Sequence, residues 1–211
     1  MSSDMAIFDL KAFETTPLNH DPFDYLIVPN FVRGEALAAL HRDYPRIAKP
    51  GSFPVSELNF GPGFQAMLDE FGSSEIRAAF ERKFGIDLAG RPLTATVRGR
   101  CQQKDGRIHT DSKSKIITVL IYLNSKWENP GGQLRLLRGP DDLENYFAEV
   151  PPNEGTLLAF RRSDNSFHGH KPFIGERRVI QFNWVTDAGT AWRERVRHRI
   201  SAWLKGGDAY A

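Results

Sequence analysis

The spacing of hydrophobic residues changes along the chain near residue 93. Upstream of that point, helices are predicted over Gly34–Arg42 and Ser73–Phe84, and a short strand is predicted over Asp24–Val28. Pro45 is typical of a segment that follows a helix end, and Gly85 is typical of a helix C-cap. Residues 1–92 are therefore expected to form a helical and mixed support region.

Downstream, short segments rich in Val, Ile, Thr and aromatic residues alternate with Gly, Pro, Asn and Asp. The predicted strands are Leu93–Cys101, Ile116–Leu123, Gln133–Leu137, Thr156–Arg161, Phe167–Pro172 and Arg178–Thr186. Many short strands at regular spacing favour a sandwich or barrel. We expect a mainly β fold with flanking helices, in which residues 93–187 form a distorted double-stranded β-helix, or jelly roll. A helix over Ala191–Lys205 is predicted within residues 188–211, and residues 1–211 are expected to form a single domain.

Composition narrows the class of protein without naming a function. The 211 residues carry a net charge of +2, and 40% of them are hydrophobic. No apolar run approaches the roughly 20 residues that span a bilayer, so no membrane partner is expected. The basic residues form no continuous stripe, so nucleic acid is not an expected partner. With Cys101 as the only cysteine and no signal-peptide pattern at the N-terminus, we expect a cytoplasmic protein. The oligomeric state is not indicated.

One pair of residues has the chemistry of a metal site. His109 and Asp111 are two apart, just before the apolar segment Ile116–Leu123. On an extended backbone, side chains two apart project to the same face, so the imidazole and the carboxylate can converge on one ion. His41 and Asp43 have the same spacing but lie on a predicted helix, where residues two apart diverge by about 200°. That second pair is not expected to bind metal.

A third ligand is expected from a later strand. His168 and His170 are both candidates, because they share one face of the predicted segment Phe167–Pro172. Two histidines and one carboxylate on one side of iron leave coordination positions open for oxygen and a chelating cosubstrate. We favour His168, because its spacing to Arg178, ten positions later, suits a strand–turn–strand return. His170 is then a pocket residue or a structural one.

Arg178 opens the last predicted strand. Its guanidinium is suited to binding a dicarboxylate end-on, since the planar fork matches carboxylate geometry. Alternation along this strand predicts that Arg178, Ile180, Phe182 and Trp184 share one face. That face would combine a cationic anchor with an apolar wall.

Together these residues resemble the 2-oxoglutarate/Fe(II)-dependent dioxygenase superfamily, in particular its prolyl-4-hydroxylase-like branch. The resemblance covers about half of the chain, Leu93–Val185, and the segment ITVLIYLNSKWENPGGQLRLL at residues 117–137 is similar to that of oxygen-sensing prolyl hydroxylases. It implies the jelly-roll fold and Fe(II) bound by His109, Asp111 and His168. It also implies 2-oxoglutarate as cosubstrate, with its distal carboxylate bound by Arg178 and Tyr122, and O₂ as oxidant.

The resemblance further implies hydroxylation of an unactivated C–H bond, with decarboxylation of 2-oxoglutarate to succinate. Trp184 matches an aromatic residue of the active-site wall. Arg98 and Arg100 stand in a region where these enzymes often place a tyrosine. They either meet an anionic substrate or are solvated, so the prolyl substrate does not transfer directly.

Several interpretations stay open from the sequence. The substrate is a small molecule or a peptide: a prolyl residue, a free amino acid or an anionic metabolite. Jelly rolls also include cupin-type enzymes and non-catalytic proteins that bind a metal or ligand. Cupin-type sites commonly use more histidines and have no reason to place an arginine ten residues after the last ligand.

Overall fold

The strands of the protein form two antiparallel sheets that face each other. The computed structural model describes residues 6–187 and Gly189. Its helices are α1 (Leu10–Thr15), α2 (Gly34–Asp43), α3 (Pro62–Phe71) and α4 (Ser74–Phe84), with a short 3₁₀ helix over Val55–Glu57. Its strands are β1 (Tyr25–Val28), β2 (Phe53–Pro54), β3 (Leu93–Cys101), β4 (Lys115–Tyr122), β5 (Leu134–Leu137), β6 (Tyr146–Val150), β7 (Leu157–Arg161), β8 (His168–Gly169) and β9 (Gly175–Val185).

The strand order identifies the architecture. The larger sheet has the order β1-β7-β4-β9-β3-β2, and the smaller sheet has the order β6-β5-β8. Apart from the pairs β2–β3 and β5–β6, neighbouring strands are not consecutive in sequence, as expected for a chain that winds back and forth between two sheets. The fold is the predicted double-stranded β-helix with flanking helices. Two edge strands of the larger sheet, β1 and β2, come from residues before position 93.

The larger sheet separates two hydrophobic cores. Its outer face packs against the helices, where the ring of Phe71 stacks on Phe182 at 3.9 Å and the ring of Phe80 lies 4.8 Å from Trp184. Its inner face contributes Leu120 to a second core, which Leu134 and other residues of the smaller sheet complete. The space between the two sheets is therefore lined by inner-face side chains only.

The predicted helices upstream are confirmed by their local signals. The Ser73 side chain accepts a hydrogen bond from the backbone N–H of Ile76, and Gly85 ends α4 in the left-handed conformation at φ 62°. The helix predicted over Gly34–Arg42 extends by one residue to Asp43. His41 and Asp43, the second His-x-Asp pair, therefore both lie on α2, where residues two apart point in different directions.

Other elements were not predicted from the pattern. α3 follows a Gly/Pro-rich stretch, yet Pro62 occupies its first turn, and Phe64, Met67 and Phe71 are its buried residues. The Asp43 carboxylate accepts a hydrogen bond of 2.7 Å from Gly63 N–H, so the cap of α3 comes from a distant residue. β6 was missed too, and of the strand predicted over Phe167–Pro172 only His168–Gly169 pairs in a sheet.

Two remaining expectations concern the C-terminal helix and the absence of a membrane span. The helix predicted over Ala191–Lys205 lies outside the described residues, so the proposed division at residue 188 stays a prediction. Among the helices of the described ranges, none combines the length and the apolar character that a membrane span needs.

Candidate metal centre

His109, Asp111 and His168 converge on one point. The strand pairing explains why, since His109 N–H donates to the His168 carbonyl oxygen at 3.1 Å and His168 N–H donates to the His109 carbonyl oxygen at 3.0 Å. One potential ligand atom from each of the three side chains lies within 4.8 Å of the others. The structure therefore brings together the three residues that the sequence predicted, although His168 is distant from the other two along the chain.

Both imidazole rings are oriented by the backbone. The Nδ1 atom of His109 lies 2.9 Å from the Arg107 carbonyl oxygen, and Nδ1 of His168 lies 3.0 Å from the Ser166 carbonyl oxygen. A carbonyl oxygen only accepts, so Nδ1 carries a proton in each ring and Nε2 is the nitrogen left to face a ligand. Neutral imidazoles held in this tautomer are the usual state of metal-ligating histidines.

The Asp111 carboxylate is held in its charged form. Lys115 Nζ donates to Oδ1 at 2.7 Å, and the Thr118 hydroxyl donates to Oδ2 at 2.5 Å. Burial alone would raise the pKa of Asp111, but the charge of Lys115 and these hydrogen bonds together lower that pKa below its usual range. Each carboxylate oxygen keeps a lone pair for a metal ion.

The two candidate histidines occupy different positions. Burial lowers the pKa of His168 to about 4, so its ring is neutral near pH 7. His170 is not part of the three-residue cluster. Its Nδ1 lies 2.8 Å from the Lys171 carbonyl oxygen, and its ring lies against Gly106 while lining the same cavity. Burial, followed by the positive charge of Arg177, lowers the pKa of His170 to about 4 as well.

The metal cluster opens into a cavity of about 670 Å³ between the two sheets. Part of its lining is apolar and belongs to the inner core: Leu120, Leu134, Phe160 and Val179. Another part is polar and comes from β3 and β9, including Thr96 and Gln181. The volume suits a small cosubstrate together with part of a second ligand.

The prediction that Arg178 faces this cavity is wrong, and the adjacent Arg177 takes its place. β9 begins at Gly175, three residues earlier than predicted, and its inner face carries Arg177, Val179, Gln181 and Asn183. Arg178 lies on the outer face, where it pairs with Glu176 at 2.9 Å and lies over the Tyr44 ring. Arg177 is only 4% exposed and donates from Nε to the Gly132 carbonyl oxygen at 2.7 Å. Side chains alternate along β9 as predicted, but the inward face carries Arg177 rather than its neighbour Arg178.

Two further expectations are corrected for the same kind of reason. Trp184 shares the outer face with Arg178, so it packs against Phe71 and Phe80 rather than lining the active-site wall. Arg98 lines the cavity, whereas Arg100 is exposed and does not. A register shift in the β3–β9 ladder between these two arginines breaks the strict alternation that would place them on one face.

Tyr122 lies beside Arg177, and its hydroxyl is an unsatisfied hydrogen-bonding group within the described residues. Its side chain is fully buried, and the Arg177 guanidinium lies over its ring with 5.4 Å between the guanidinium carbon and the ring centroid. Within the described part of the chain, the Tyr122 hydroxyl has no hydrogen-bond partner of acceptable geometry. Burial raises the pKa of Tyr122 to about 12, so the group stays protonated and can donate. An unsatisfied donor beside a buried guanidinium fits an anionic ligand.

Comparisons with known proteins agree with this geometry. Residues 99–186 match the model of the 2OG-Fe(II) oxygenase superfamily. The fold is similar to a Pseudomonas putida prolyl-4-hydroxylase, with 19% identity, a TM-score of 0.55, and coverage of 83% of this chain and 90% of that one. It is also similar to HygX from Streptomyces hygroscopicus, solved with nickel and 2-oxoglutarate bound, with 13% identity, a TM-score of 0.53, and coverage of 88% and 86%.

A third similar structure contains a peptide. It is a Trichoplax adhaerens prolyl hydroxylase in complex with a fragment of hypoxia inducible factor, with 18% identity, a TM-score of 0.51, and coverage of 89% of this chain and 90% of that one. No match to this sequence was found among curated proteins. At these identities the structural matches establish the fold, and the family match over residues 99–186 confirms the resemblance inferred from the metal motif.

Proposed function

We propose that the chain is a member of the 2OG-Fe(II) oxygenase superfamily, whose model matches residues 99–186, and that it hydroxylates an unactivated C–H bond with 2-oxoglutarate as cosubstrate. The family is one of oxygenases that use Fe(II), 2-oxoglutarate and O₂. This membership favours an oxygenase over the cupin-type and non-catalytic interpretations. The observation that carries the proposal is the convergence of His109, Asp111 and His168, with both imidazoles turned to leave Nε2 available.

The donor set fits Fe(II). Two neutral imidazoles and one carboxylate are the ligands of the facial arrangement found in non-haem iron oxygenases, which leaves coordination positions open. Asp111 supplies the negative charge, and the hydrogen bonds from Lys115 and Thr118 limit the orientations of its carboxylate. When bound, the iron supplies the oxidative chemistry, and the chain supplies geometry and solvent exclusion.

Arg177 and Tyr122 support binding of 2-oxoglutarate. A buried guanidinium with one N–H satisfied by Gly132 retains the others for a carboxylate. The Tyr122 hydroxyl is the unsatisfied donor next to it. We propose that these two side chains bind the carboxylate of 2-oxoglutarate farther from the metal. Leu120, Phe160 and Val179 would exclude water from the reacting centre.

The reaction consumes 2-oxoglutarate in a way that is simple to measure. Hydroxylation by this family couples insertion of one oxygen atom into the substrate with decarboxylation of 2-oxoglutarate to succinate and carbon dioxide. The substrate stays a proposal at this level: a prolyl residue, a free amino acid or an anionic metabolite.

The test uses anaerobic Fe(II) and 2-oxoglutarate added to the purified chain. We expect a weak visible charge-transfer band, followed by succinate formation when O₂ is admitted. His109→Ala should abolish both signals. His41→Ala is the matched control, because His41 belongs to the second His-x-Asp sequence and lies on α2, where its Nε2 pairs with Glu154. Loss of the band in His41→Ala but not in His109→Ala would refute the assignment.

A further inference from the structure

One wall of the cavity is more polar than a site for a prolyl ring requires. In the ladder between β3 and β9, Thr94 lies opposite Asn183 and Thr96 lies opposite Gln181. The next inward position on β3 is Arg98. These inner-face side chains form what we call the polar wall, which consists of Thr94, Thr96, Arg98, Gln181 and Asn183. The register places hydroxyl, amide and guanidinium groups on one continuous surface of the cavity.

The rest of the same sheet face is different. On β4 the corresponding positions are Thr118, Leu120 and Tyr122, and on β7 the residue opposite Thr118 is Phe160. The inner face therefore changes from polar at β3 and β9 to largely apolar at β4 and β7. Because Thr118 donates to Asp111, its hydroxyl serves the metal site. The same hydroxyl lies 3.1 Å from Asn183 Oδ1, so the polar wall begins beside the metal site, and its remaining donors and acceptors are available to a second ligand.

The charges of the cavity favour an anion. Its lining includes three cations, Arg98, Lys115 and Arg177, and among the described lining residues Asp111 is the one carboxylate. Lys115 is paired with Asp111, and Arg177 has the proposed role of binding 2-oxoglutarate. Arg98 is paired as well, with Asp105 at 2.7 Å, but Asp105 does not line the cavity, so Arg98 is the cation that can face a second ligand. An ammonium group on that ligand would find no second carboxylate on the described lining.

Contacts with neighbouring residues hold Arg98 in place and leave some of its hydrogen-bond donors unoccupied. Its Nη1 donates to Asp105 at 2.7 Å and lies 3.8 Å from Cys101 Sγ, and both contacts anchor one arm of the guanidinium. A guanidinium has five N–H donors in a fixed fork. The contacts described for this side chain use Nη1, so Nε and Nη2 keep donors for a carboxylate or phosphate group.

A prolyl ring would satisfy this wall poorly. Within the wall, Thr94 Oγ1 donates to the Asn183 carbonyl oxygen at 3.4 Å and Gln181 Nε2 donates to Asn183 Oδ1 at 3.1 Å. The C–H groups of the ring cannot pair with the donors and acceptors that these bonds leave over, and sites built to hydrogen-bond a substrate reject analogues that lack the matching groups. A molecule with several hydroxyl groups would satisfy Thr94, Thr96, Gln181 and Asn183 together. Two serines add further hydroxyls to the cavity lining: Ser52, just before β2, and Ser56, in the 3₁₀ helix that follows β2.

We propose that the substrate is an anionic polyhydroxylated small molecule, whose carboxylate or phosphate binds Arg98 and whose hydroxyls bind the rest of the polar wall. This inference rests on the proposed oxygenase function and adds the substrate class. Carboxylate and phosphate share the chemistry that Arg98 recognises, so the test includes both.

The test measures succinate formation by the iron-loaded chain with saturating 2-oxoglutarate. The probes are D-gluconate and D-glucose 6-phosphate, with D-glucose as the uncharged match and L-proline and a proline-containing peptide as the competing class. We expect D-gluconate or D-glucose 6-phosphate to stimulate succinate formation above the rate without substrate. Glucose should be on the order of tenfold less effective, because it lacks the charge-assisted hydrogen bonds.

Arg98→Gln and Arg100→Gln are the matched variants. They remove the same charge two residues apart on β3, but only Arg98 lines the cavity. Stimulation by the anionic probe should fall by about tenfold or more in Arg98→Gln and stay at the wild-type level in Arg100→Gln. The KM for 2-oxoglutarate should not change in either variant. Arg98→Lys, which keeps the charge, should recover part of the stimulation.

The outcomes separate this inference from the function it rests on. Absence of the anaerobic Fe(II)–2-oxoglutarate band in the wild-type chain would overturn both. An intact band with no response to either anionic probe, or with a stronger response to proline or the peptide, would overturn the substrate class alone. A raised KM for 2-oxoglutarate in Arg98→Gln would instead assign Arg98 to the cosubstrate and likewise overturn the proposal.

Discussion

Replacement of Arg177 by glutamine tests whether the buried arginine of β9 binds 2-oxoglutarate. Arg177 is 4% exposed, and its Nε–H is already satisfied by Gly132, so its remaining donors lie in a site with little solvent to replace them. Removing one partner of a buried, hydrogen-bonded charge pair costs about 2–5 kcal/mol. At about 1.4 kcal/mol per tenfold, this predicts 2-oxoglutarate binding that is about 30-fold to a few thousandfold weaker.

The neighbouring residue provides the control. Arg178 is the same residue type on the same strand, but its side chain is 30% exposed and pairs with Glu176 on the outer face. Exposed ion pairs contribute about 0–1 kcal/mol, so Arg178→Gln should leave 2-oxoglutarate affinity within about fivefold of the wild type. Arg177→Lys keeps the charge but loses the planar fork, so its affinity should lie between those of the wild type and Arg177→Gln.

The assay titrates 2-oxoglutarate into the anaerobic Fe(II) protein and follows the visible band. Thermal unfolding of each variant, measured in parallel, checks that the fold survives loss of the bond to Gly132, which should cost about 1 kcal/mol. The proposed role of Arg177 is refuted if Arg178→Gln weakens 2-oxoglutarate binding by tenfold or more while Arg177→Gln does not. That result would mean that the face assignment along β9 is reversed.

Three further predictions follow from the site. Asp111→Asn and His109→Ala should both abolish iron binding, but only Asp111→Asn should destabilise the metal-free chain. Its free energy of unfolding in urea should fall by about 3–5 kcal/mol, because the substitution leaves the nearly buried Lys115 without its counter-ion. Equal stabilities of the two variants would contradict this. His168 and His170 have pKa values of about 4 against the usual 6.5, so the unfolded chain binds more protons than the folded one between those pH values. The melting temperature of the metal-free chain should therefore fall as pH drops from about 6.5 towards 4, and less steeply in His170→Gln, whereas a flat profile would argue against neutral buried histidines. Gly106→Ala should lower the free energy of unfolding by about 1–3 kcal/mol or more, because φ of Gly106 is +90° and the added Cβ would overlap the His170 carbonyl oxygen. Gly34→Ala is the control: its Cβ meets no atom within 4 Å, so the free energy of unfolding should change by less than about 1 kcal/mol.

Local patterns in the sequence were sufficient for several features. Helix α4 has its own start and stop signals in Ser73 and Gly85, and each of them bonds a backbone group only a few residues away. The strand Leu93–Cys101 was predicted at its observed bounds, since alternation of β-forming residues is also a local property. The His-x-Asp pair needed only the geometry of an extended backbone. The iron-ligand set as a whole was inferred from residue types, order and family resemblance.

Features that depend on partners distant in sequence were not accessible in this way. The start of α3 is capped by Asp43, which precedes it by some 20 residues, so the capping residue is not part of the local sequence pattern. Strand β1 joins the larger sheet only because β7 is beside it. The position of Arg100 depends on a shift in pairing between β3 and β9, and alternation counted along a single strand does not reveal such a shift.

Arg177 and Arg178 of β9 illustrate the difference between what the sequence determines and what only the tertiary structure decides. The sequence by itself determined that a guanidinium would follow the last metal ligand and that every second residue of that strand would share a face. Only the tertiary structure decided which face points inward, because a shift of one residue exchanges the two faces without changing local propensity. Packing of Phe182 and Trp184 against α3 and α4 directs the Arg178 face outward, and Arg177 is thereby directed into the cavity with the metal cluster.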